Sequence, residues 1–276
     1  MGYKAFNPGM ICNGKQYAEN TVFEETGADD CCQAGVMHYC EEPFDCLDYY
    51  PLVNDRGEIT EFAKVEPLAE VLKKDNKRAS RKLRIGAKLS LKDFINAQVD
   101  IQMKKGGNET AASDDGRQLA ASGNGSQLAA SGDWSKLAAS GDWSKLAASG
   151  NGSQLAASGD WSQLAASGYR SQLAASGNGS QLAASGDWSQ LAASGYRSRL
   201  AALGNGSQLA ASGANSIAAA IGIGGMASAS LGSWIVLAEY DDQNNPLCVR
   251  AAQIDGEKLL PNVFYTLRNG EFVEVK

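Results

Sequence analysis

Five of the six cysteines and the only histidine fall in the first 46 residues. The stretch "CCQAGVMHYC" brings Cys31, Cys32, His38 and Cys40 within ten positions. Thiolate and imidazole are donors that zinc prefers, four of them at tetrahedral corners. The order lacks a Cys-x-x-Cys pair, so zinc competes with a plainer reading, half-buried thiols beside a hydrogen-bonded imidazole, with Cys12 and Cys46 close by in sequence. A third chemistry, a thiolate activated by an imidazole, needs both side chains on one face. His38 and Cys40, two apart on a strand, would share one, but no donor set for an oxyanion accompanies them. No catalytic residue is assigned, and the chain is read as a non-enzyme. No cofactor is required, zinc being the one candidate. A disulfide framework is not expected, because the N-terminus has neither the basic start nor the apolar core of an export signal.

Two other sets of residues could bind. From Lys73 to Lys88 the chain holds eight basic residues and one acid: Lys73, Lys74, Lys77, Arg78, Arg81, Lys82, Arg84 and Lys88. From Glu24 to Asp48 it holds eight acids and no Lys or Arg. The basic run could hold phosphate or an acidic protein; the plain alternative is a solvated surface paired with its own acidic face. It lacks the interleaved aromatics of a single-strand binder. The second set is Trp134, Trp143, Trp161, Trp188, Tyr169 and Tyr196. Either they form an exposed ladder that binds a protein or a sugar, or they stack on one another and shield an edge.

Those aromatics belong to a repeat. A leucine recurs at every ninth position from Leu119 to Leu209, in the unit Ser-Gly-x-x-Ser-x-Leu-Ala-Ala. So short a period marks a stacked β-array. Ser-x-Leu-Ala-Ala is a short strand, with Ser135, Leu137 and Ala139 facing one way and Lys136 and Ala138 the other. Ser-Gly-x-x is the corner, with Gly supplying a backbone shape other residues resist. A helix is excluded, since a Gly in every unit costs about 1 kcal/mol in a helix interior. Calcium is excluded too, because the Gly-Gly-x-Gly-x-Asp pattern is missing. The corner dipeptide Asn-Gly returns at Asn124, Asn151, Asn178 and Asn205, and Asp-Trp at Asp133, Asp160 and Asp187, each three units apart. A three-walled, 27-residue coil is therefore one geometry, stacking like corner on like. Volume favours the other, a two-walled, 18-residue coil. Three walls of about 16 Å would enclose more space than three Leu and their small neighbours fill.

The fold expected is mainly β: a small α+β head over 1–107, a nonapeptide β-solenoid over 108–233, and a β cap over 234–276. In the head, "YKAFN", "KQYAENTVFEE" and "ITEFAKVEPL" read as strands, and "SLKDFINAQVDIQMKK" as a helix capped by Ser90. In the cap, "SWIVLAEY", "LCVRAAQI", "VFYTL" and "EFVEV" read as strands. Ile217 stands eight positions after Leu209, which places a one-residue deletion between them, with Ile217, Met226 and Ile235 resuming the step of nine.

Lys4-x-Phe6, Cys12-x-Gly14-x-Gln16-Tyr17, Gly35-x-x-His38-x-Cys40-x-x-Pro43 and Tyr49-Tyr50 resemble the opening of an uncharacterised domain family of bacteriophage and prophage proteins. Members of that family often run on into nonapeptide arrays and end in a segment similar to "GSWIVLAEYDD" through "GEFVEV". The resemblance implies a viral or mobile-element origin and no established activity. The 276 residues carry a net charge of -6, which argues against a general nucleic-acid binder. No apolar run reaches the ~18 residues that span a bilayer, and motifs for dinucleotides, nucleoside triphosphates, zinc proteases and serine hydrolases are absent. The expectation is a cytoplasmic binding or scaffolding protein, in the host cytoplasm if phage-encoded, acting on a protein partner such as a host defence component. The alternative is an enzyme or nucleotide-binding head on a structural stalk. Ile217 to Leu231 carries no charge across 15 positions, and a solenoid's end must be covered, so a homodimer joined through residues 217–276 is expected.

Overall fold

The structure is a computed structural model that describes residues 1–26, 35–51, 60–104 and 111–275. It divides into two compact units, one running to Gln98 and the other from Val99 onward. The first is built on a seven-stranded antiparallel sheet. Across the sheet its strands are Thr21–Glu24, Lys82–Leu89, Glu61–Pro67, Gly2–Phe6, Met37–Cys40, Lys77–Ser80 and Val71–Lys74. Phe6, Met10, Tyr17, Met37, Val65, Leu83 and Ile85 form one buried cluster. Elsewhere Phe62 stacks on Phe94, which in turn stacks on Phe44, the ring centroids lying 3.8 and 5.8 Å apart. Phe94 comes from the single helix among the described residues, Leu91–Lys104. Ser90 opens that helix as expected: its Oγ accepts the Asp93 N–H at 3.1 Å.

The basic run is not a loop. It supplies three strands, Val71–Lys74, Lys77–Ser80 and Lys82–Leu89. Leu83 and Ile85 are buried there while Arg84 between them is exposed, the period of two that a half-buried strand imposes.

In the second unit the chain winds into two-walled, 18-residue coils. Leu128 pairs with Leu146 and Leu137 with Leu155, parallel and in register, and the pattern repeats along both sheets. The three-walled alternative is thereby corrected, for the volume reason given above. Each wall ends as a nine-stranded sheet. The leucines and the second alanine of each unit form one continuous core. Ala is a poor strand former; identical neighbours stacked in register supply the packing and hydrogen bonds that propensity does not. The alternation holds inside, where Ser135, Leu137 and Ala139 are all buried. Outside, the walls differ. Ala129, Ala147 and Ala165 of the first wall are exposed, whereas Ala138, Ala156 and Ala174 of the second are buried.

Two kinds of residue fix each corner. The first Gly comes within touching distance of the coil before it: a Cβ on Gly150 would lie 2.1 Å from the carbonyl oxygen of Gly132. Ser then folds back, as Ser153 Oγ does onto Gly150 O at 2.8 Å. The left-handed backbone falls elsewhere than expected, on the second x position, where φ is positive at Gly125, Trp143 and Arg197 alike. Close approach, not backbone shape, is what demands the invariant Gly of the unit.

The frame does not slip before Ile217. Arg199 pairs with Ile217 and Leu200 with Ala218, so Ile217 takes the outward x position and Ala218 the place of Leu. The missing residue belongs to the corner Ser230 to Ser233, since Ala218 pairs with Ile235, one position short of a full coil. Keeping the earlier corner at full length preserves its stacked hydrogen bonds, including Ile217 N to Ser198 O at 3.0 Å. The closing strands Trp234–Tyr240 and Pro246–Gln253 extend the first wall, and Tyr265–Arg268 and Glu271–Glu274 the second. Ile235, Leu237, Ile254, Leu259 and Tyr265 complete the core where Leu gives way to Ala.

Candidate functional site

The two-walled coil sorts the corners into two edges. One edge carries, in order, Trp134, Gly152, Arg170, Trp188 and Gly206 at its left-handed position; the other carries Trp143, Trp161, Gly179, Arg197 and Asn215. Like does not stack on like. Trp134, Trp161 and Trp188 each lie against the glycine one coil ahead, so near that a Cβ on Gly152, Gly179 or Gly206 would sit 2.6–2.8 Å from the ring. Only Trp143 meets another tryptophan, Trp161, with centroids 5.6 Å apart and planes 12° from parallel. The residue before each of these is part of a second ladder. Asp133 Oδ1 accepts the Asn151 N–H at 2.7 Å, and Asn151 Oδ1 accepts the Tyr169 N–H at 2.9 Å. Arg170 and Arg197 fold over Tyr169 and Tyr196, 5.2 and 5.0 Å from the ring centroids. All six aromatics remain exposed, from 41% for Tyr196 to 62% for Trp134.

The head holds a cavity of about 260 Å³. It is lined by Tyr3, Lys4, Ala5, Cys12, Asn13, His38, Tyr39, Cys40, Cys46, Tyr49, Tyr50 and Lys77. The central strand brings Lys4, its neighbour Met37–Cys40 brings His38 and Cys40, and the 3₁₀ turn Phe44–Asp48 brings Cys46. Lys4 is buried, and its Nζ donates to His38 O at 2.9 Å and lies 3.3 Å from Cys12 Sγ. Cys12 Sγ is 2.9 Å from the Tyr50 hydroxyl. Burial, then the bond to Cys12, pushes the Tyr50 phenol well above its ordinary value. Burial, then its bond to Cys40, likewise raises the Cys46 thiol. Burial pushes Tyr49 up to about 12, and Lys77 Nζ stands 4.0 Å from its ring centroid. A larger open groove, on the outer face of the first wall, is lined almost wholly by Ala and Ser and offers little chemistry.

Of the proposed metal ligands, His38 and Cys40 meet at this cavity, while Cys31 and Cys32 lie outside the described residues. Among the described residues no three His, Cys, Asp or Glu are grouped closely enough to hold a metal ion. The basic set is largely engaged. Arg78 pairs with Glu41, Lys82 with Glu24 and Arg84 with Glu66, at 2.9, 2.8 and 2.7 Å, and Lys88 pairs with Glu61. The bond from Arg78 holds the Glu41 carboxyl below the ordinary carboxylate range. Lys73, Lys74 and Arg81 add charge on the same hairpin region. Sequence reasoning missed Lys4, Cys12, Tyr49, Tyr50 and Lys77 as one group, although four of them lie in the motifs that carry the phage resemblance.

Among the described residues no helix is long and apolar enough to cross a membrane. No curated protein and no solved structure matches the chain. Residues 1–97 match the model of a family described as Domain of unknown function (DUF7666), and that span takes in every residue lining the head cavity.

Proposed function

We propose that the chain is a non-catalytic binding and scaffolding protein of phage or prophage origin, whose solenoid is a rigid spacer that also presents its corner aromatics to a protein partner. A host factor, such as a defence component in the host cytoplasm, is the partner class that the phage resemblance favours. One observation carries the binding role. The left-handed corner position is satisfied by Gly at Gly116, Gly125, Gly152, Gly179, Gly206 and Gly224, yet Trp or Arg stands at six others with φ between 55° and 60°. A bulky residue there costs about 1–2 kcal/mol relative to Gly. Strain repeated along both edges, at residues left open to solvent, supports reading these side chains as kept for contact with a partner.

The test replaces Trp134, Trp143, Trp161 and Trp188 by Gly together. Relief of strain offsets lost ring contacts and the entropy of Gly, so each site should change stability by no more than about 1 kcal/mol. A partner captured from bacterial lysate by the full chain, and identified by cross-linking, should be lost by the variant. Equal capture by both chains overturns the reading.

The closing coils favour self-association. The outward column of the first wall runs Gln127, Lys145, Gln163, Gln181, Arg199, and then turns apolar at Ile217 and Trp234. The adjoining edge strand Pro246–Gln253 exposes Leu247 and Val249 farther along the same wall, Val249 opposite Ala238. An exposed edge with apolar side chains is a template for pairing, and a second copy meeting it across a two-fold axis closes the assembly. Light scattering at micromolar concentration should give twice the 29.0 kDa of the chain. Changing Ile217 and Trp234 to Gln, and Leu247 and Val249 to Lys, should give the monomer mass. A monomeric parent chain refutes the dimer, and a dimeric variant moves the contact elsewhere.

A further inference from the structure

We propose that the head cavity binds a small organic anion, a phosphate or carboxylate carried on a planar body. This stands apart from the corner aromatics and does not depend on them. Lys4 is 4% exposed, and an ammonium buried to that degree is costly unless it is paired. Its Nζ has three protons to donate, and its hydrogen-bond partners among the described residues are a backbone carbonyl and a thiol, His38 O and Cys12 Sγ. The faces of Tyr17 and Phe6 lie 5.3 and 5.6 Å away. Such contacts fall short of offsetting an unpaired buried charge. The partner that Lys4 lacks among the described residues is a negative charge, and Lys4 lines the cavity.

The lining agrees. Lys4, Lys77 and His38 contribute to it, and no Asp or Glu does among the described residues. Asp45 and Asp48 lie on the neighbouring 3₁₀ turn without lining it. Tyr39, Tyr49 and Tyr50 make the lining aromatic, with the Tyr50 hydroxyl held on Cys12 and that of Tyr49 on Asn76. A volume of about 260 Å³ lies just below the usual range of drug-sized ligand sites and suits one ring bearing one anionic group.

The experiment titrates the full chain with phenyl phosphate, benzoate and uncharged benzyl alcohol, by calorimetry at low and high salt. At least one anion should bind, more weakly as salt rises, and the alcohol should not; the tighter anion identifies the head group. Lys4→Met should weaken binding ten- to hundredfold, the loss of one charge-assisted hydrogen bond. The same variant should melt no lower than the parent, because it removes an unpaired buried charge. Lys77→Gln should weaken binding at least threefold and serves if Lys4→Met does not fold. Silence from both anions, equal binding of the alcohol, or parent-like affinity in either lysine variant overturns the proposal.

Discussion

Gly177→Ala should break the solenoid where it stands. A Cβ at residue 177 would lie 2.0 Å from the carbonyl oxygen of Gly159 and 2.3 Å from its carbon. Both are backbone atoms, so no rotamer change relieves the clash; the two coils must part at that corner. Overpacking of side chains costs about 1–3 kcal/mol, and a backbone clash should exceed about 3 kcal/mol. Parting also disturbs the hydrogen bonds across the same seam, including Trp161 N to Asn178 O at 2.7 Å and Ser176 N to Ala157 O at 3.0 Å. Stacked repeats are coupled only to their neighbours, so thermal unfolding should separate into two steps. Gly125→Ala is the control. Nothing lies within 4 Å of its Cβ, but φ is +71°, and left-handed strain alone should cost about 1–2 kcal/mol. Equal losses at the two positions would show that close approach is not what Gly177 serves.

Leu173→Ala should come next in size, at about 3–5 kcal/mol in urea unfolding. Leu173 is fully buried, and its neighbours in the core are leucines, alanines and the inward serines. The large end of the range for truncating a buried Leu applies where surroundings cannot close over the gap. Here they cannot, because both walls are held by ladders in register from one coil to the next. Gln163→Ala, on the exposed face of the first wall, should change stability by less than about 0.5 kcal/mol. A loss below about 1.5 kcal/mol at Leu173 would mean that the walls move together more freely than the ladders permit.

Regularity decided what could be read in advance. Eleven leucines at one spacing define the strand, its inward face and, through volume, the two-walled coil. Ser90 before "LKDFINAQ" defines the helix start because the cap is local. The slip near the end was misplaced because Ile217 mimics the core leucine in type while occupying the outward position. Only pairing with Arg199 distinguishes the two. The strands of the basic run were missed for a related reason: charge density hid the alternation of Lys82, Leu83, Arg84 and Ile85. One signal was available and unread. The corner slot holds Gly in about half the units, which is the mark of a left-handed backbone, and so Trp in that slot is strained. The head cavity had no such signal. Lys4, Cys12, His38, Tyr50 and Lys77 come from separate segments joined by long-range antiparallel pairing, and nothing in "YKAFN" says that its lysine is buried.

The mismatch between a three-unit word and a two-unit coil has a consequence for how such genes change length. Copying one word adds one and a half coils, about 7 Å of height at the spacing of neighbouring strands. The half coil exchanges the walls. A strand that would have closed the first wall, as Trp234–Tyr240 does, would close the second, and the apolar column ending in Ile217 and Trp234 would emerge on the opposite side. Two copies, three whole coils, restore the original facing. Alleles that differ by an odd number of words should therefore be out of phase, and those that differ by an even number interchangeable. Recombination among near-identical repeats would then act on this protein as a two-position rotary setting as well as a change of length.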